Sequence, residues 1–286
     1  MQKIKLPFFI CILFSMLIIK PAVTSEVNKT PLRLGAVMYA KEASRILYTE
    51  LAAYIGRKLG RRVVPKLFAS YNEIILEVSN NKLDFAILTP IVFLNVREML
   101  NVKCIAMPFL PSGNIIYRGL IMVNRENKNL QTLKDLEGKK MGYVDRYSTS
   151  GYILPKLLLK DAGVKTREVF LGNHVEVVKA LKSKEIDVGA IYSEIFLEVP
   201  QLQKLKKDFK ELAKTDFIPN DMIVADPSVP DEVVHRVRDI LLDFHYHRKS
   251  EKKLRALPLS GFVPADQNLY AALQKIWLRA LGRGQK

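Results

Sequence analysis

The segment Tyr147-Ser148-Thr149-Ser150-Gly151 concentrates the chemistry of this chain. Three consecutive hydroxyl residues and a glycine lead into an amphipathic stretch, the pattern of a helix N-terminus. Hydroxyls there satisfy backbone N–H groups that have no partner within the helix. Glycine lets the backbone approach a bound group closely, and the helix dipole favours negative charge. The N–H groups and hydroxyls together make a cradle suited to a tetrahedral oxyanion. An ordinary N-cap in a polar turn fits the same spacing. The segment lacks Gly-Lys-Ser/Thr, so it gives no support to nucleotide hydrolysis.

A hydrolytic reading has its components in Ser150, His174 and several aspartates. Ser150 does not stand in Gly-x-Ser-x-Gly, and triads are defined by geometry rather than by sequence position. A histidine at a helix start is more often a hydrogen-bonding residue than a base, so a binding protein is expected rather than an enzyme. Cys104 lies in Val102-Lys103-Cys104-Ile105-Ala106, which reads as a buried strand. There is no second cysteine nearby to make a metal pair. Of the four histidines only His245 and His247 are close, at i and i+2, which does not place them on one helical face. Neither a metal site nor a cofactor is expected.

The elements that must position these residues alternate between short apolar strands and amphipathic helices. Strands are expected at 32–38, 63–68, 83–88 and 104–107, with helices at 43–59, 71–80 and 91–100. Pro65 makes the second strand an edge or irregular one. After Asn124 the same grammar restarts, with strands at 141–144, 168–171 and 186–192 and helices at 151–160 and 174–183. Helical stretches near 231–247 and 268–281 complete the chain. Two α/β units with largely parallel sheets are implied.

The units share one detail. Tyr71 and His174 each begin a helix, an aspartate follows each 13 positions later (Asp84, Asp187), and a phenylalanine follows nine positions after that (Phe93, Phe196). This reads as one supersecondary motif used twice. It sets Tyr71 and His174 at helix starts, where ligands of α/β sheets gather. The apolar runs 117–123 and 218–224 are the expected crossings between units.

Bulk properties are those of a globular chain of 286 residues, 49% hydrophobic and 26% charged. Residues 1–25 read as a secretory signal peptide. Lys3 and Lys5 precede an apolar run from Leu6 to Ile19, and Pro21 and Val23-Thr24-Ser25 follow it. Its loss would take the formal charge from +16 to +13. A basic surface suits nucleic acid, anionic lipid or anionic solute. The basic residues are interspersed with acids rather than with aromatics, and export also argues against nucleic acid.

From about Pro31 to Tyr270 the chain resembles the phosphate/phosphite/phosphonate substrate-binding proteins of ABC importers. The resemblance rests on Asp145-Arg146-Tyr147-Ser148-Thr149-Ser150-Gly151 with Pro155, Gly172-Asn173-His174, Ser70-Tyr71 ahead of Lys82-Leu83-Asp84, Phe217-Ile218-Pro219-Asn220-Asp221 and Gly261-Phe262-Val263. It implies a type II periplasmic-binding-protein fold, two hinged α/β lobes closing on a ligand. Lobe one would comprise residues 30–121 and 222–286 and lobe two residues 122–221, with hinges near Met122 and Ile223. The resemblance also implies that Ser148, Thr149 and Ser150 hold phosphorus-bound oxygens beside His174. Tyr71 and Tyr117 would close over the ligand, and Glu194 and Asp221 would meet an ammonium. A small anionic or zwitterionic phosphorus ligand, such as 2-aminoethylphosphonate, and an ABC permease are the implied partners of a periplasmic monomer. A ligand-sensing partner of a membrane receptor would present the same pocket. The chain departs from many relatives at Thr89-Pro90, where they carry glycine. Proline stiffens that part of lobe one's wall and removes a donor.

Overall fold

The computed structural model describes residues 30–281 apart from 41 and 111. The segment read as a signal peptide lies outside the described residues. The first sheet is built from β1 (Leu32–Val37), β2 (Val63–Phe68), β3 (Phe85–Leu88), β4 (Lys103–Phe109), β10 (Met222–Ala225) and β11 (Gly261–Val263), in the order β11-β4-β10-β3-β1-β2. The second holds β5 (Ile116–Asn124), β6 (Lys140–Tyr143), β7 (Arg167–Phe170), β8 (Val188–Tyr192) and β9 (Phe209–Pro219), in the order β7-β6-β8-β5-β9. The expected edge position of the Pro65 strand is observed, since β2 ends its sheet.

Two expectations are corrected here. The sheets are mixed rather than largely parallel: β10, β11, β5 and β9 all run antiparallel to their neighbours. Each unit borrows strands that enter after a crossing, and these arrive from the opposite end. The boundary expected at residue 121 falls inside β5, which pairs along its length with β8 and β9. Met122 is therefore a mid-strand residue of the second sheet, and the first crossing lies upstream, between β4 and β5. The second crossing is the short link between β9 and β10, at Asn220 and Asp221. Ile223 sits within β10.

Helices α1 (Glu42–Leu59), α2 (Tyr71–Ser79) and α3 (Pro90–Leu100) belong with the first sheet. α4 (Leu154–Asp161), α5 (His174–Lys182) and the short α6 (Ile195–Glu198) belong with the second. The chain closes with α7 (Asp231–Leu242), α8 (Phe244–Ser250), α9 (Lys252–Arg255) and α10 (Gln267–Ala280). α1 buries Leu47, Leu51, Tyr54, Ile55 and Leu59, and Gly60 stops it at φ +70, a conformation that costs glycine little. Ile46, an apolar residue of the same helix, is exposed.

Strand alternation sorts the core. Phe85 and Ile87 join the cluster beneath α1 and α7, while Ala86 and Leu88 face the opposite way. In the second sheet Ile121 and Val123 join an outer cluster with Leu159, while Leu120 and Met122 face inward. Ala86 and Leu88 of the first sheet and Leu120 and Met122 of the second belong to one continuous buried cluster, which also takes in residues of α2, α3 and α5.

The repeated motif has a common physical role. Asp84 accepts the Arg33 backbone N–H at 2.6 Å and the Arg33 guanidinium at 2.9 and 3.0 Å. Asp187 accepts the Lys140 backbone N–H at 2.9 Å. Each aspartate thus pins the start of the neighbouring parallel strand, and each motif helix begins behind a side-chain cap, Ser70 to Glu73 N–H and Asn173 to Glu176 N–H.

Asn220 ties the two crossings together. Its backbone N–H donates to the Ile115 carbonyl at 3.0 Å, and its side-chain amide donates to the carbonyls of Pro108 and Asn114 at 3.0 and 3.2 Å. The Tyr270 hydroxyl of α10 donates back to the Asn220 carbonyl at 3.0 Å. Replacing Asn220 with alanine removes both side-chain hydrogen bonds, although the Asn114 carbonyl keeps the Leu110 N–H, and the loss is about 1–3 kcal/mol. The expected outcome is a thermal midpoint lowered by several degrees with the fold retained by far-UV circular dichroism; an unchanged midpoint would show that the crossings do not depend on this amide.

Candidate functional site

A cavity of about 90 Å3 lies between the sheets, with space on the order of six water-sized sites. Its lining includes Tyr71, Tyr117, Ser148, Thr149, Ser150, His174 and Asp221, seven of the eight residues expected from sequence. Tyr39, Tyr48, Thr89, Tyr192, Glu198 and Asn220 join them.

The cradle forms because β6 ends in a turn controlled by Asp145. Its carboxylate accepts the N–H groups of Tyr147 and Ser148 at 2.7 and 3.1 Å. The turn continues into one π-type turn, Thr149–Ile153, ahead of α4, where a regular helix from Gly151 was expected. Ser148 caps it, accepting Gly151 N–H at 3.1 Å. A side chain at Gly151 would meet Val144 at 2.4 Å and the Ser148 hydroxyl at 2.7 Å, so only glycine permits this cap. Gly119 plays the matching part from β5, where a Cβ would press on the Ser150 carbonyl at 2.9 Å. The Tyr117 hydroxyl is hydrogen-bonded to the Ser150 side chain.

The cradle also reaches across to the first lobe. The Thr149 hydroxyl accepts Ile91 N–H, in the first turn of α3, at 3.3 Å. Asp145 is hydrogen-bonded to the backbone of Tyr71, the first residue of α2. Side chains of the second lobe thus satisfy helix-terminal donors of the first.

The electrostatics of the cavity are unusual for an anion site. No lysine or arginine occurs among its described lining residues. His174, the first residue of α5, is 3% exposed, and burial alone lowers its pKa to about 3, so it is a neutral imidazole. Its ring meets Tyr192 edge-on with centroids 4.9 Å apart, and its Nδ1 has no hydrogen-bond partner among the described residues. Tyr39, Tyr48 and Tyr71 are held as neutral phenols because burial raises their pKa values well above the ordinary one. An anion here would meet neutral hydroxyls, amides and helix termini.

Two carboxyl groups stand in the same cavity. Burial raises Asp221 to about 7. Burial also raises Glu198 to about 8, assisted by the nearby Glu194 and Asp221, although the Tyr192 hydroxyl donates to its Oε2 at 3.1 Å. Glu198 is the carboxyl that sequence reasoning missed. Glu194, the expected one, is the residue before α6, and its side chain lines a separate open groove with Arg118, Lys204, Lys207 and Phe217. The two glutamates are four positions apart: Glu194 precedes α6 and Glu198 ends it, and only Glu198 lines the cavity. The i, i+4 pair of carboxyl residues in Ser193-Glu194-Ile195-Phe196-Leu197-Glu198 was the available signal.

Two α/β sheets joined by two adjacent crossings, with a polar cradle and partly buried carboxyls in the cleft between them, define a two-lobed solute-binding protein of the periplasmic type. The family model for the periplasmic phosphonate-binding proteins of ABC transporters matches residues 36–270. The chain belongs to that family, which is one of substrate-binding proteins rather than enzymes. A binding-protein component of an ABC phosphonate transporter from Pseudomonas aeruginosa has the same fold, with a TM-score of 0.78, 20% identity, and coverage of 88% of this chain and 87% of that one. PhnD1 from Prochlorococcus marinus, solved in complex with methylphosphonate, gives a TM-score of 0.77 at 17% identity, covering 90% of this chain and all of that one (100%). The phosphate-import protein PhnD of Mycolicibacterium smegmatis is 23% identical over 164 residues, 52% of this chain. The chain spans about half the length of that relative, 49%. No helix among the described residues is long and apolar enough to cross a membrane.

The carboxyls and the histidine make opposite contributions to stability. Asp221 and Glu198 keep protons in the fold that they release in the unfolded chain above their ordinary values near 4. Their stabilising contribution is therefore present in acid and lost as pH rises through about 7 and 8. His174 acts the other way, its contribution being lost as pH falls from about 6.5 toward 3. Above pH 6.5 only the carboxyls change. The thermal midpoint of the ligand-free protein is expected to fall between pH 6.5 and 8.5, and Asp221→Asn and Glu198→Gln are each expected to flatten that fall. An equally steep fall in both variants would assign the dependence to other groups.

Proposed function

We propose that the cleft binds a small phosphonate bearing an amine, with 2-aminoethylphosphonate as its model, and delivers it to an ABC permease. The observation that carries this reading is the pairing, in one cavity, of a cation-free hydroxyl cradle with the two partly buried carboxyls Asp221 and Glu198. Family membership supports the phosphorus end of the ligand. The carboxyls support the amine end, because beside an anion alone both acids would have to stay protonated, whereas an ammonium gives them a partner as carboxylates and offsets the cost of ionising them in the cleft. In this reading Ser148, Thr149, Ser150 and His174 donate to the phosphonate oxygens. Tyr71 and Tyr117 close over the ligand, and Glu198 takes the part that sequence assigned to Glu194. Closure occurs about the two crossings held by Asn220. The protein works as a periplasmic monomer, exported by the segment at residues 1–25.

A bare phosphorus oxyanion is the second reading, favoured by one observation. The Mycolicibacterium smegmatis relative is named for phosphate import and the Prochlorococcus neighbour holds methylphosphonate, neither of which brings a positive charge. Thermal-shift titration with 2-aminoethylphosphonate, methylphosphonate, phosphite and phosphate in phosphate-free buffer separates the two. At about 100 times its dissociation constant a ligand stabilises by roughly 2.7 kcal/mol, several degrees for a chain of this size. The aminophosphonate is expected to give the largest shift. Ser150→Ala should weaken every phosphorus ligand about tenfold or more, whereas Glu198→Gln and Asp221→Asn should weaken only the amine-bearing one. Retention of 2-aminoethylphosphonate affinity in both carboxyl variants would remove the amine site and leave the second reading.

A further inference from the structure

We infer that Thr89, at the end of β3, is a ligand-binding residue from the first lobe, donating a hydrogen bond from its hydroxyl to the oxyanion held by the Ser148–Ser150 cradle. The inference rests on the phosphorus-anion reading of the cleft above, but not on the amine.

Thr89 is the residue before α3, where a threonine hydroxyl ordinarily accepts an N–H from the first turn of its own helix. Here it does not, for Thr89 makes no side-chain cap hydrogen bond. The Ile91 N–H, one of the two that an N-cap side chain ordinarily accepts, is taken at 3.3 Å by the Thr149 hydroxyl from the opposite lobe. α3 is therefore capped in trans, and the residue whose type suits the capping role is released from it.

The released hydroxyl is not exposed to solvent as a compensation. Thr89 is 8% exposed, its Oγ1 has no hydrogen-bond partner among the described residues, and it lines the same cavity as the cradle. A buried hydroxyl without a partner costs free energy that valine at the same position would not. The other such atom facing this cavity is His174 Nδ1, on the opposite lobe. The two unpaired polar groups thus stand on either side of the space between the lobes. A phosphorus oxyanion has oxygens enough to accept from both, and α3 directs its positive N-terminal end toward the same site. Thr89 makes the ligand a bridge: the second lobe supplies the cradle, and this hydroxyl gives the first lobe a direct bond to the same anion.

The test uses the full chain and isothermal titration with methylphosphonate and 2-aminoethylphosphonate, with Thr89→Val, Thr89→Ser and Ser150→Ala in parallel. Thr89→Val is expected to weaken both ligands about tenfold or more. Thr89→Ser should stay within a few-fold of the parent, and the thermal midpoint of ligand-free Thr89→Val should be equal to or above the parent's. That combination, weaker binding without weaker folding, is one a merely structural threonine would not produce. If the parent binds and Thr89→Val binds within twofold of it, the inference fails while the cleft reading stands. If Thr89→Val loses stability and affinity together and serine does not restore them, the hydroxyl is structural and the inference also fails. If the parent binds neither ligand, nor phosphate or phosphite, both the cleft reading and the role of Thr89 are overturned.

Discussion

Helix N-termini that face each other across the cleft are the constraint from which the rest of the structure follows. An α-helix begins with N–H groups that its own backbone cannot satisfy, and burying them without partners is costly. In this protein α2 and α3 of the first lobe point such groups at the second lobe, which answers with Asp145 and Thr149. The second lobe points its own π-type turn and the start of α5 back at the first. Helix starts from both lobes therefore converge where the lobes meet, with no lysine or arginine among the described lining residues of the cavity.

That economy of charge shapes specificity. A site built on a guanidinium would bind any phosphate-like anion strongly and at long range. Neutral hydroxyls and amides act at hydrogen-bonding distance only, so shape and donor placement carry more of the discrimination. The two carboxyls line the same cavity, and their raised pKa values reflect how little water reaches them. Cleft and hinge are parts of one arrangement, because Asn220, which lines the cavity, also ties the crossings, and Tyr270 anchors it to α10.

Much of the fold was legible from period and polarity. The helix starts at Tyr71 and His174, the aspartates that follow them and the alternation of strands with helices all came from local patterns that the structure repeats. β9 was not legible. Phe209–Pro219 carries Lys210, Glu211, Lys214 and Asp216, and an edge strand with one wet face looks like a charged loop. The first crossing was misplaced for a related reason. An apolar run such as 117–123 reads equally well as a link between lobes or as the central strand it is, and only its pairing with β8 and β9 decides.

By itself the sequence determined the chemistry available: a hydroxyl-glycine cradle at a helix start, a histidine at a second, tyrosines and acids in reach, and two α/β units to carry them. These are local properties, set by residue type and by spacing along a few turns of chain. The tertiary structure decided which of them meet. It put Glu198 rather than Glu194 on the cavity, brought Tyr39, Tyr48 and Tyr192 to the same lining, and supplied the helix behind Thr89 with a cap from the other lobe. Such choices depend on strand order and on the approach of two surfaces distant in sequence, and no local pattern encodes that distance.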